Sequence, residues 1–333
     1  MRVLITGATG FLGSHLCERM VAQGHKVRIL CRPTSSFDRL AKLPFEKVVG
    51  DITDPKIVQA AVKDCECVIH AAANLNYWRT EEDWQMKVNI EGTRHVARAS
   101  REAGAKRLLH VSSAAAIGVT ADPQQPANED FPFNLERSGL TYHISKRRAE
   151  DEVLAEVARG LDAVIVNPAS IHGQQRSAAL MRSVRRTPIV PCFSGGNCIV
   201  HVEDVVQGIL AALARGENGQ RYILGGENLT FRTLGEKAAK AMNIRRRFVS
   251  IPPVVTAIAA AVLEPVARLR NKPPKISYMI HYCANRFQYF DSGKARRALG
   301  YAPRDVDAIL VESLRAMSRS GMVQDSGQAL TLE

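Results

Sequence analysis

Cysteine pairs, a charged leader and a long apolar run are all missing from this 333-residue chain, and each absence narrows what it can be. Seven cysteines stand at 17, 31, 65, 67, 192, 198 and 283, an odd number with no C-x-x-C spacing. They encode neither a disulfide framework nor a cysteine-built zinc site, and no metal is expected. The chain opens directly on a strand-like run, without a charged n-region, an apolar stretch and a cleavage site, so a reducing cytoplasmic location is expected. The most apolar window, "IPPVVTAIAAAVLEPVARLR" from Ile251 to Arg270, is broken by prolines, Thr256 and Glu264. Its uninterrupted part falls short of the ~20 residues of a membrane span. It reads as a core helix or, given its basic end, as an amphipathic segment in peripheral membrane contact. Repeats and low-complexity tracts are absent too. Acidic residues are outnumbered 33 to 45, leaving a formal charge of +12 that suggests an anionic partner. The basic clusters at 146–148, 182–186 and 245–247 carry no aromatic interleaving and form no tail, so nucleic acid is not the expected partner.

What is present is alternation. "RVLIT", "KVRIL", "KVVG", "CVIHAA", "RLLHVSS" and "DAVIVNP" are short apolar runs separated by helix-length segments. Runs buried on both faces and alternating with helices predict βαβ units, hence an α/β fold with a doubly wound parallel sheet of Rossmann type. After about residue 170 the alternation decays. The expected division is a dinucleotide-binding domain over 1–170, its sheet completed by parts of 196–225, a smaller α+β substrate lobe over 171–320, and a loose tail at 321–333.

"ITGATGFLGSH", Ile5 to His15, spaces Gly7, Gly10 and Gly13 three apart at a strand-to-helix turn. There the first glycine permits a tight bend, the second lets the backbone approach a pyrophosphate, and the third lets the helix pack on the sheet. The helix then aims unpaired N–H groups at the phosphates. The T-G-x-x-G-x-x-G form resembles the short-chain dehydrogenase/reductase superfamily, and "TGATGFLG" its extended, epimerase/dehydratase-type branch. "GDITD" at 50–54, "HAAA" at 70–73, "VNIEGT" at 88–93, "HVSSAAAIG" at 110–118, "YHISK" at 142–146, "NPASIHG" at 167–173, "HVEDVV" at 201–206 and "KARRALGYAPR" at 294–304 extend the resemblance over nearly the whole chain. Their order is most similar to the dihydroflavonol reductase, 3β-hydroxysteroid dehydrogenase and hopanoid-associated sugar-epimerase-like cluster.

At the end of the second strand, an NAD site offers a carboxylate to the ribose, whereas an NADP site offers positive charge to the 2′-phosphate. "VRILCRPTSS" offers Arg32 and two serines and no carboxylate. NADP(H) is therefore preferred, with NAD(H) the alternative. The resemblance implies that Thr9, Phe11 and Leu12 of the glycine turn, Asp51 and Ile52 at the adenine, Ala71, Ala72 and Ala73 beside the ribose and phosphates, Asn89, and Pro168 and Ser170 at the nicotinamide also belong to the cofactor site. Packing on its helix face is an equal alternative for Asn89. Asn167 stands where many relatives have arginine.

Tyr142 and Lys146, four apart, project from one helix face downstream of Ser112 and Ser113 at the end of the fifth strand. A phenol is a poor base at neutral pH unless a nearby ammonium stabilises its phenolate. The resemblance implies catalysis by Tyr142 with Lys146, which also holds the nicotinamide ribose, and Ser113 on the substrate oxygen. Ser112 is read as finishing the strand, and His143 as structural, pointing off the tyrosine's face. Asn74, Tyr77 and Trp78 are substrate-pocket candidates, with core packing an equal alternative for the two aromatics. The expected activity is NADP(H)-dependent interconversion of a carbonyl and an alcohol on a fairly apolar, dihydroflavonol-, steroid- or terpenoid-like molecule. The alternatives are a nucleotide-sugar epimerase or dehydratase with retained cofactor, and a non-catalytic dinucleotide sensor or scaffold. The resemblance also implies a homodimer, through the stretches near 84–103 and 141–160.

Overall fold

The six apolar runs of the first half form strands of one sheet in the computed structural model, which describes residues 1–75, 82–270, 272 and 274–319. The strands and helices of this half are β1 (Arg2–Thr6), α1 (Phe11–Ala22), β2 (Lys26–Cys31), β3 (Glu46–Val49), α2 (Pro55–Val62), β4 (Cys67–His70), α3 (Glu82–Met86), α4 (Gly92–Glu102), β5 (Arg107–Val111), α5 (Thr141–Val157) and β6 (Ala163–Pro168). The second half adds β7 (Ser170–His172), α6 (Gln174–Arg186), β8 (Ile189–Cys192), β9 (Gly196–His201), α7 (Val202–Arg215), β10 (Arg221–Leu224), β11 (Glu227–Thr230), α8 (Phe231–Ala241) and β12 (Arg247–Ser250). It ends with α9 (Pro253–Leu269), α10 (Tyr278–Ala284), β13 (Phe287–Gln288), α11 (Gly293–Leu299) and α12 (Val306–Arg319).

The main sheet has seven strands, all parallel, in the order β10-β6-β5-β4-β1-β2-β3. Period-two alternation sends successive side chains to opposite faces. Val3, Ile5, Ile69, Leu109 and Val166 therefore join one core with α1, α7 and α11, while Leu4, Val68, Leu108 and Ile165 join another with α2, α4 and α5. This two-sided burial is why the strands read as continuous apolar runs. The order reverses between β1 and β4, and a crevice opens there at the carboxyl ends of the strands.

Of the 196–225 stretch, only β10 completes the main sheet. β9 pairs instead with β7, β11 and β13 in a second sheet. The helix after it, α7, nevertheless packs on the main sheet through Val205, Val206, Ile209 and Ala212, so residues past 170 contribute to the first layer. A separate core of Met181, Val184, Leu234, Ala238, Ile309 and Leu310 holds α6, α8 and α12 together.

Candidate active site

The opening glycines act through three different contacts. Gly7 has φ +74°, and a Cβ there would lie 2.6 Å from the Ala71 backbone. Gly13 lies so close under the turn that a Cβ would overlap the Gly7 carbonyl oxygen. Gly10 faces the cleft, with only the Gly7 oxygen near its missing Cβ, at 3.2 Å. It also begins α1 without a side-chain cap, so the first-turn N–H groups and the positive end of the dipole face the cleft. This is a cradle for a diphosphate, and the residues present fit a dinucleotide.

The cleft encloses about 1060 Å³ and is lined at this end by Gly7, Thr9, Gly10, Phe11, Leu12 and Gly13. Arg32, just past β2, and Asp51 and Ile52, past β3, line its far end. Asp51 Oδ1 accepts from the Thr53 backbone N–H and hydroxyl, both at 2.9 Å. Ala71, Ala72, Ala73 and Asn74 leave β4 along its floor. Ala72 N–H donates to Thr6 Oγ1 at 3.2 Å, fixing where that floor begins.

At the other end, Ser113, Tyr142, Lys146, Pro168 and Ser170 line the same cleft. Ser113 leaves β5 with extended backbone, φ −159° and ψ 151°, and its Oγ accepts from Ala115 N–H at 3.2 Å. Tyr142 and Lys146 lie one helical turn apart on α5, 9 % and 2 % exposed. Lys146 Nζ donates to the Val111 carbonyl at 3.0 Å. Burial pulls its pKa down to about 8, with Glu150 opposing the shift, so the ammonium is present at neutral pH but poised to lose its proton above it.

The sequence comparison fits this geometry. The family model for the NAD dependent epimerase/dehydratase family matches residues 3–225, two thirds of the chain. The chain belongs to that family. Within it, the chain is 31 % identical to sterol demethylase protein B of Methylococcus capsulatus, over 97 % of this chain and 100 % of that one. It is 30 % identical to a putative dihydroflavonol 4-reductase of Synechocystis, over 96 % and 95 % respectively. Among solved structures it superposes on gox2253 with a TM-score of 0.82 at 33 % identity, covering 97 % of this chain and 99 % of the other. It is an NAD(P)-dependent oxidoreductase of the extended short-chain dehydrogenase/reductase type.

Behind this epimerase/dehydratase-family cleft lies a buried polar layer that sequence reasoning missed. Glu150, on the turn after Lys146, is fully buried. It accepts from Ser112 Oγ at 2.5 Å, from Asn167 Nδ2 at 2.6 Å and from Arg221 Nη1 at 3.1 Å. Asn167 also donates to the Ser113 carbonyl at 3.0 Å, so residue 167 fixes the backbone of the serine. Ser112 does more than finish the strand: its hydroxyl ties β5 to α5. A glutamate among "SKRRAEDE" looks like one more solvated charge, and only the tertiary meeting of β10 with α5 reveals its partners.

Of the two places expected for Asn89, the hydrogen bonds correspond to the packing one. Asn89 does not line the cleft; its amide bridges Asn74 N–H at 2.7 Å, the Asn74 carbonyl at 3.2 Å and Ser145 Oγ at 3.0 Å. Its hydrogen-bonding groups are taken up in pinning the β4 loop to α5. His143, read as structural, is buried in packing contacts and also borders the cleft. It packs edge-on against Tyr142 and lies 3.8 Å through Nε2 from Cys283 Sγ, while burial lowers its pKa to about 4. Met279 and Cys283 of α10, with Phe290, bring apolar surface from the far end of the chain. Ser35 and Arg39 join Arg32 at the adenosine end. A second arginine seven residues past Arg32 was the available signal for Arg39. Tyr77 and Trp78 lie outside the described residues.

Proposed function

We propose that this oxidoreductase interconverts a ketone or aldehyde and the corresponding alcohol on an apolar small molecule, using NADP(H) and the Ser113, Tyr142 and Lys146 groups. The observation that carries the reading is that a hydroxyl, a phenol and a buried ammonium open onto one cleft, reached from the other side by Met279, Cys283 and Phe290. When bound, the nicotinamide supplies or accepts the hydride. Ser113 holds the substrate oxygen by hydrogen bonding, and Tyr142 Oη gives that oxygen a proton in reduction or takes it in oxidation. Lys146, charged at neutral pH, favours the phenolate left behind. Glu150 and Asn167 keep the serine backbone fixed while this happens. The preference for NADP(H) over NAD(H) rests on Arg32, with Ser35 and Arg39 beside it, as donors to a 2′-phosphate. Pairing of two copies through the outer faces of α4 and α5, which pack side by side, belongs to the same proposal and is read from the solution mass.

The test follows NADPH oxidation with a panel of apolar ketones and aldehydes. Turnover by the native chain and its loss in Tyr142→Phe, with NADPH affinity within about twofold, is the expected result. Unchanged turnover in Tyr142→Phe removes the phenol from the chemistry. One residue favours a second reading, a nucleotide-sugar epimerase or dehydratase: Arg176 lines the cleft, donating to the Ile171 carbonyl at 2.9 Å, and offers charge to a substrate diphosphate. In that case, denaturing the purified protein releases a bound dinucleotide, and added NADPH is not consumed. A non-catalytic sensor would have no need of all three chemical groups in one cleft.

A further inference from the structure

The helix α9 is built inside out. Its small residues face the protein, with Thr256, Ala260 and Ala267 buried, while its large ones face solvent. Val254, Ile258, Val262 and Leu269 are 62 %, 61 %, 59 % and 88 % exposed, and Val255 and Val266 flank them. At 3.6 residues per turn these six fall within about 120° of arc along roughly 22 Å of helix. A continuous apolar stripe of that size on a surface signals contact with something apolar. Glu264 is the only carboxylate of the helix, and it accepts from the Tyr278 backbone N–H at 3.3 Å. Thr256 Oγ1 lies 2.8 Å from His281 Nδ1 and accepts from Asn285 Nδ2 at 2.9 Å, which fixes α9 against α10 with the stripe outward.

The charge around the stripe identifies its partner. Between Arg245 and Arg286 the sequence holds eight Lys or Arg and one acidic residue, so this segment carries 8 − 1 = +7 of the chain's +12. Arg245 and Arg247 precede the helix and Arg270, Lys272 and Lys275 follow it, all exposed. A second copy of this chain would bring +7 against +7 across the stripe. An apolar face rimmed by basic side chains matches an anionic bilayer, whose acyl boundary takes the valines and whose headgroups take the cations. Among the described residues no helix is long and apolar enough to cross a membrane.

We propose that α9 is a docking surface for an anionic lipid bilayer. Its partner helix α10 supplies Met279 and Cys283 to the cleft wall, so docking sets the cleft beside the lipid, where apolar carbonyl compounds partition. Docking itself does not depend on the catalytic reading, and its test uses no turnover.

The experiment is flotation of the full chain with vesicles of phosphatidylcholine alone or mixed with phosphatidylglycerol, at low and high salt. The expected result is flotation with the mixed vesicles that falls at least tenfold on pure phosphatidylcholine and weakens with salt. Lys275→Ala should lose about fivefold, the share of one basic side chain near such a surface. Ile258→Ser with Val262→Ser should abolish flotation with melting temperature and solution mass unchanged. A native chain that stays at the bottom of the gradient with mixed vesicles overturns the proposal. So does equal binding to both vesicle types, a serine pair that floats like the native chain, or a serine pair whose only effect is to turn a dimer into a monomer.

Discussion

Replacing Lys146 by Met should stabilise the cofactor-free protein while removing its activity. The ammonium is buried, and its pKa is pulled from 10.5 down to about 8. At pH 7 the folded chain therefore carries a proton that costs about 3 kcal/mol more to hold than in the unfolded chain, taking ~1.4 kcal/mol per unit. The unfolded state binds more protons between pH 8 and 10.5, so native stability should rise with pH through that window and be lowest below it. Methionine fills nearly the same volume and removes the penalty, but forfeits the 3.0 Å hydrogen bond to the Val111 carbonyl, worth about 1 kcal/mol. The remainder is a gain of about 2 kcal/mol at pH 7, or roughly 4 °C at about 2 °C per kcal/mol for a chain this large. Calorimetry at pH 7 and pH 10 checks both signs: Lys146→Met should melt higher at pH 7, and its advantage should shrink toward pH 10. A variant that melts lower at pH 7, or whose difference from the native chain is the same at both pH values, refutes the assignment of a strained, charged lysine.

Other substitutions probe the remaining parts of the site. Arg32→Asp should weaken NADPH by about ten- to a hundredfold, the worth of a charged hydrogen bond plus repulsion, and NADH far less; fluorescence titration that shows equal losses overturns the phosphate assignment. Gly13→Ala places a methyl group into the Gly7 carbonyl and should abolish dinucleotide binding or folding outright, whereas Gly24→Ala, where a Cβ meets nothing within 4 Å but φ is +78°, should cost only about 1 kcal/mol of backbone strain in urea titration. Glu150→Gln removes the buried anion that Arg221 and Lys146 face, and should cost about 3 kcal/mol or more by urea titration. Because Glu150 holds the Lys146 pKa up, the same variant should move the alkaline limb of the rate profile to lower pH. An unmoved limb would separate Glu150 from the lysine.

The parallel sheet and the glycine cradle were legible because they rest on local patterns. Two-sided burial makes each strand a continuous apolar run, and the Gly13 contact with the Gly7 carbonyl falls within the strand-to-helix turn, although that of Gly7 reaches the Ala71 backbone. Tyr142 and Lys146 could be placed on one face by helical spacing alone. Glu150 and Asn167 could not, since their meaning arises only where β5, β6, β10 and α5 converge. Met279 and Cys283 were hidden for the same reason: they reach the cleft from about 270 residues past the glycine turn, on a short helix without catalytic wording. The window 251–270 was ambiguous between core and surface because composition cannot report which face of a helix carries the large residues. Asn89 shows the converse limit, where a residue matched by wording is occupied in holding its neighbours rather than opening onto the cleft.

The most direct measurement is a crystal structure of the chain with NADP⁺ bound. It should show the diphosphate on the Gly10 end of α1, and the nicotinamide C4 facing a space that the Tyr142 hydroxyl and Ser113 Oγ both reach. A nicotinamide ring lying away from Tyr142, or a dinucleotide seated elsewhere in the molecule, would contradict the account.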